Sequence, residues 1–410
     1  MAWRWWVLAL LPAACAPGPR APAHLGTFEA RAWPTMELRP GTSRRGLVAR
    51  VGEVTVLEGD ADLVSGAPGQ YGLRFDEARN DLAAVVARLA AQGLDVPATL
   101  VLFTTFDDQA GGGPAYFVPI FNDTEGTGLG PVDQRDLFGA QALEGVANMK
   151  RREGHLAERR LPLLVHELGH RHLAYLSAAP VAGSTVAPTL LGRQQAHWHA
   201  ALDTGGSVLG GHGFVEGTPG RFTVTRVEDA LSELDLYALG LMAAEEVPPT
   251  FFIEGARTEA GFQVPAEAQL AVGDVVLGTR AVLRIEQVVA ALGPRARAAP
   301  ETRAVFALLT APGEGAEAAR VEAEAVDALR EELEAAWPTW TRGRGSLCTK
   351  VAGCEVTAVD AGVADAGAVP EAPGGCRAVP QDSLPWVLAL LLGIWIARVR
   401  QKRREPGAGR

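Results

Sequence analysis

Cysteine is scarce in this chain: four residues in 410, too few for a disulfide framework, so the fold has to rest on a buried apolar core. All four lie towards the ends, as Cys15, Cys348, Cys354 and Cys376, and positions 16 to 347 carry no thiol. A surplus of positive charge is also lacking. With 38 Lys and Arg against 48 Asp and Glu the net charge is −10, which leaves no chain-wide cationic surface for polyphosphate and excludes nucleic acid as an expected partner. No internal repeat divides the chain. What is there, 48% hydrophobic and 21% charged residues, lies in the ordinary globular range. That composition excludes disorder along the whole length and leaves room for one large domain or two smaller ones.

The two ends read as addresses. MAWRWWVLALLPAAC has Arg4 as its only early charge, then an apolar stretch and small residues, the layout of a secretory signal over 1–23. Ala13-Ala14-Cys15 resembles a bacterial lipoprotein box with Pro12 where an aliphatic residue is usual, so the signal ends either in lipidation at Cys15 or in ordinary cleavage. Leu384 to Ala397 is apolar and is followed by Arg398, Arg400, Lys402, Arg403 and Arg404. Residues 384–400 are therefore expected to form a membrane segment, short of the ~20 residues of a full span. The basic tail 401–410 then stays on the cytoplasmic side. With Cys376, this end resembles the C-terminal sorting tails of myxobacterial surface proteins. Residues 346–383, rich in Gly, Ala, Pro and Asp, read as a stalk. Within it Cys348 and Cys354 are placed to close a small disulfide loop. The expected location is the cell surface or outer envelope, with the membrane as a partner through the C-terminal segment.

Between the ends, 24–345 is the candidate folded domain. Alternation over Gly46–Leu57 predicts a strand or hairpin, helical spacing over Glu77–Leu94 predicts a helix ending on Gly93, and Pro97–Phe106 and Ala115–Phe121 predict strands. A long helix is expected over Glu158–Leu176, then a loop-rich stretch to about Glu228. Further helices are expected over Asp235–Ala244, Ile285–Leu292 and Glu314–Trp337, with a strand over Ala304–Thr310. The order, a mixed sheet, then the long helix, then a mostly helical C-terminal part, is α+β.

The sharpest chemical signal is His166-Glu167-Leu168-Gly169-His170. Two His four apart on a helix project from one face at the separation two tetrahedral zinc ligands require. Glu167, one residue on, is placed to act as general base towards zinc-bound water. His172 lies about 200° round the helix from His170 and is expected to face away from the metal. The metzincin pattern is excluded, because Leu176 occupies the position of its third His. A third ligand must come from farther along. Asp235 is the foremost candidate, with Glu233 as the alternative and His197, His199 or His212 also open; Ser232-x-x-Asp235 equally fits a helix capping box. Asn122 and Asp123, ahead of Gly126 and Gly128, read as turn residues rather than a calcium site.

These residues bring a resemblance into view. The chain looks like a group of secreted bacterial HExxH proteins, abundant in myxobacteria, in which the helix reads HExGHRWLAY and later pieces read HW, LDT, SVMGG and SxLDLYLMGL. The matching pieces here are His166 to Tyr175, His197-Trp198, Leu202-Asp203-Thr204, Ser207 to Gly211 and Ser232 to Leu241, with Ala115 to Asp123 also similar. The resemblance spans about 70–345 and implies a zincin-like metallopeptidase fold. Where the group often has Pro this chain has Glu233, which argues for Asp235 as the shared ligand. Shared His197 and Tyr237 are candidate oxyanion stabilisers, or they pack the loop and the short helix. The resulting expectation is a surface-anchored zinc metallopeptidase with a polypeptide substrate. Its rival is a non-catalytic zincin-fold module for surface binding or adhesion, against which an intact Glu167 argues.

Overall fold

A computed structural model describes residues 48–65, 72–73, 75–76, 79–108, 113–180 and 189–354. The secretory signal with Cys15, most of the stalk, Cys376, the segment 384–400 and the tail 401–410 lie outside the described residues. Among the described residues no helix is long and apolar enough to cross a membrane.

The architecture is mixed α+β. Strands β1 (Val48–Val51) and β2 (Val54–Glu58) form the expected N-terminal hairpin. They join β3 (Thr99–Thr104), β4 (Tyr116–Pro119), β5 (Gly145–Arg151) and β10 (Glu301–Thr310) in one sheet. Its order is β1-β2-β10-β3-β5-β4, parallel from β2 to β5 and antiparallel at both edges. The central strands are apolar runs because both faces of the sheet are covered. In β3, Val101 and Phe103 point into one core while Leu100 and Leu102 point into the other, and in β10 Phe306 and Leu308 oppose Val305, Ala307 and Leu309. Helix α1 (Asp81–Leu89) packs Val85, Val86 and Leu89 on one face. Helices α2 (Arg160–Gly169) and α5 (Ala316–Trp340) cover the other with Leu164, Val165 and Leu168 and with Val326, Leu333 and Trp337.

Besides a shortened α2, two expectations change. The stretch read as loops and helices holds a second sheet, four antiparallel strands in the order β6-β7-β9-β8: β6 (His212–Thr218), β7 (Arg221–Val227), β8 (Thr250–Thr258) and β9 (Val275–Leu283). Its core is Phe214, Phe222, Val224, Phe251, Ile253 and Val276, so the C-terminal part is not mostly helical. Helix α3 (Glu233–Ala238) is short, and α4 (Ile285–Leu292) has the expected bounds. The second change is at position 346, where the stalk was expected to begin. Ser346–Cys348 instead forms β11, parallel to β10, and Cys348 is disulfide-bonded to Cys354. The folded domain therefore runs past 345.

Candidate metal centre

Helix α2 is shorter than its apolar pattern suggests, and the place where it stops matters. The His170 N–H still bonds the His166 carbonyl and the Leu173 N–H that of Gly169, but the His172 N–H tightens to the same Gly169 carbonyl at 2.9 Å and the Ala174 N–H leaves the helix for the carbonyl of Ala196. The Tyr175 hydroxyl then takes the His170 carbonyl at 2.9 Å, an acceptor that a continuing helix would have used. A side chain at Gly169 would stand 3.1 Å from Leu173 Cδ1 and 3.2 Å from Leu209 Cδ2, so glycine lets the 203–212 loop close against the helix end.

That loop and the 192–198 turn complete the site. His166 Nδ1 lies 2.7 Å from the Val208 carbonyl, His170 Nδ1 3.0 Å from that of Leu173, and His197 Nδ1 2.9 Å from that of Arg193. A carbonyl only accepts, so each Nδ1 carries the proton and each Nε2 of a neutral ring is left with a lone pair. The three Nε2 atoms face one another: His166 is 3.1 Å from His170 and 3.2 Å from His197. Between neutral rings of this tautomer those contacts are not hydrogen bonds but three lone pairs converging on one point. Protons do not relieve the crowding. Burial lowers the pKa of His166, holds His170 well below the usual histidine range and takes His197 to about 3. The arrangement is what a cation with nitrogen ligands would occupy, and among the described residues it is the one group of His, Cys, Asp or Glu able to hold a metal.

Glu167 is 3% exposed and its Oε2 is buried without a hydrogen-bond partner. Burial pushes its pKa up to about 8 against the opposing charge of Arg193. A lone buried carboxylate oxygen is costly unless something charged comes to meet it.

The third position differs from the foremost expectation. Asp235 is wholly buried and does not join the histidines. Its Oδ1 accepts from Trp198 Nε1 at 2.9 Å, and its Oδ2 accepts from the Ser232 backbone N–H at 2.7 Å and from the Ser232 hydroxyl at 2.8 Å. It closes the capping box of α3 and anchors the residue next to His197. Glu233 is ion-paired with Arg342. His199 packs edge-on against Phe252 and accepts from the Ala201 N–H, while His212 Nε2 accepts from the Leu270 N–H. His197, open both as a third ligand and for an oxyanion role, supplies the third nitrogen of the cluster. Tyr237 has no exposed surface, and its hydroxyl accepts from the Arg295 N–H at 3.1 Å, which takes it away from any substrate. His172 is buried outside the cluster with Nδ1 unpartnered. Asn122 binds the Leu129 and Gly130 carbonyls, as a turn residue does.

The histidine turn is held from several directions. The Gly192 N–H bonds the His197 carbonyl at 2.8 Å and the Trp198 N–H bonds the Leu209 carbonyl at 3.0 Å. Gln194 and Gln195 both have φ of 56°, a left-handed conformation unfavourable for residues with a side chain. A separate cavity of about 250 Å³, lined by Asp108, Lys150 and His155 among others, contains none of these residues. No family model matches the sequence, and neither a curated protein nor a solved structure is matched by it.

Proposed function

We propose that the chain is a zinc-dependent peptidase in which His166, His170 and His197 hold the metal and Glu167 is the general base. The observation that carries this reading is the convergence of three Nε2 lone pairs, each ring locked through Nδ1, beside a buried carboxylate oxygen that has no partner. Three imidazoles suit zinc or a neighbouring transition ion and not magnesium or calcium, which take oxygen. Three protein ligands rather than four leave a position open, the mark of a catalytic site. When bound, zinc supplies Lewis acidity that brings the pKa of a coordinated water near 7 and favours the carboxylate form of Glu167.

Glu167 then takes the proton of the attacking water and returns it to the leaving amine nitrogen, so one carboxylate serves both halves of the hydrolysis. The choice of a peptide bond rests on the HExxH resemblance. Placement at the cell surface, held by the C-terminal segment, rests on the signal and tail sequences.

The test is metal analysis of the exported protein together with Glu167→Gln. The wild type should hold one zinc and cut unstructured polypeptide, and the variant should keep the zinc and lose cleavage. Zinc retained by a wild type that cuts nothing would favour the surface binding module. Protein that takes no metal would sink both.

A further inference from the structure

One charged side chain outside the ligands reaches the centre. Arg193 Nη2 lies 2.7 Å from His197 Nε2. The Nδ1 of that ring is committed to the Arg193 carbonyl, so Nε2 accepts and the guanidinium, which can only donate, gives the proton. The lone pair it engages is the one a metal would need. No carboxylate forms an ion pair with Arg193 among the described residues, and its side chain is exposed while the ring it touches is buried. Its positive charge is also felt at His166, His170 and Glu167. The backbone that presents it is pinned by the Gly192 to His197 hydrogen bond and by two consecutive left-handed glutamines. Such strain persists only where its surroundings hold it.

The two residues first considered for oxyanion binding are unavailable for it, since His197 faces the other ligands and Tyr237 is buried. We infer that Arg193 is the oxyanion-binding residue of the centre: its guanidinium competes with a metal for the His197 lone pair, and with that lone pair on a metal its donors would turn to the reacting carbonyl. The inference rests on the peptidase reading. In the step it serves, water oxygen bonds the carbonyl carbon and its proton passes to Glu167. The carbonyl π pair moves onto oxygen, where the Arg193 N–H groups meet it. Collapse then breaks the C–N bond, and the amine leaves with the proton from Glu167. Arginine suits the role because its charge is permanent and its fork offers several donors.

The test compares full-length wild type, Arg193→Gln and Arg193→Lys in two measurements. In competition with a chromogenic chelator, Arg193→Gln should bind zinc about tenfold more tightly, because a charged hydrogen bond no longer competes for His197. With zinc loaded, its kcat on a peptide should fall by about 100-fold or more at little change in KM, and Arg193→Lys should recover part of that loss. Unchanged zinc affinity in Arg193→Gln would overturn the competition for His197, and unchanged kcat would overturn the oxyanion role. A wild type that takes no zinc overturns the peptidase reading itself, whereas an active zinc protein indifferent to Arg193 overturns only this inference.

Discussion

His166 and His170 come from a single turn of α2, whereas His197 arrives 31 positions after His166, just past a strained 3₁₀ turn at Arg193–Gln195. The first pair is local: the helical period alone brings the rings together. The third ring is non-local, held by the Gly192 N–H, by the Leu209 carbonyl behind Trp198 and by Asp235 beneath the indole. Two of the three rings are therefore brought together by the helix itself, with Val208 fixing the tautomer of His166, and the third depends wholly on contacts between segments far apart in the chain. The difference shows why one half is written as a motif and the other only as scattered short pieces.

The sharpest way to break the comparison is to exchange the roles of His197 and Asp235. His197→Ala should weaken zinc binding on the order of 1000-fold. Asp235→Asn should cost the 10–100-fold typical of a residue acting behind a ligand. Chelator titration of both variants checks this, and the reverse order would return Asp235 to the metal. Stability sharpens the same contrast. Asp235→Ala removes a helix cap and strands the buried Trp198 N–H, so unfolding in urea should show a loss of about 2–4 kcal/mol. Glu233→Ala breaks only a partly exposed ion pair, and the loss should stay below about 1 kcal/mol.

Gly169→Ala tests the seam between the two halves. Its Cβ would press on Leu173 and Leu209, so a cost of about 1–2 kcal/mol is expected in the same urea assay. The least effect is expected far from the centre, at Asp95. Burial by itself raises its pKa, but the N–H groups of Gln141, Ala142 and Leu143 outweigh that and hold it below the usual aspartate value. A carboxylate depressed in the folded state stabilises above its unfolded value of ~3.9, and that contribution is lost as pH falls through the folded value. Asp95→Asn should therefore flatten the acid limb of a plot of Tm against pH while leaving zinc affinity unchanged.

The N-terminal hairpin, α1, the central strands and α4 were legible because their burial follows one simple period each, two for strands and 3.6 for helices. The second sheet was not. Its hairpin from His212 to Val227 buries only one face, and Pro219-Gly220 with its flanking glycines reads as loop unless the alternation of Phe214, Phe222 and Val224 is given more weight. Helix α2 ends at Gly169 although apolar residues continue to Leu176. Nothing local marks its end, where the Ala174 N–H turns to the carbonyl of Ala196, 22 positions on, and the Tyr175 hydroxyl takes the His170 carbonyl. Asp235 lies outside the histidine cluster, bonded to Trp198 and Ser232, and a buried acceptor that closes a capping box has the same sequence pattern as a metal ligand.

Sequence alone determined the pair His166 and His170, the placement of Glu167 between them and the capping box at Ser232 and Asp235, because these depend on helical periodicity and on bonds within one turn. Tertiary structure decided which nitrogen comes third, what Asp235 does and where Arg193 stands. Those outcomes depend on which carbonyls the loops present to each ring, and only the packing of the 192–198 turn, the 203–212 loop and α3 against the end of α2 sets them.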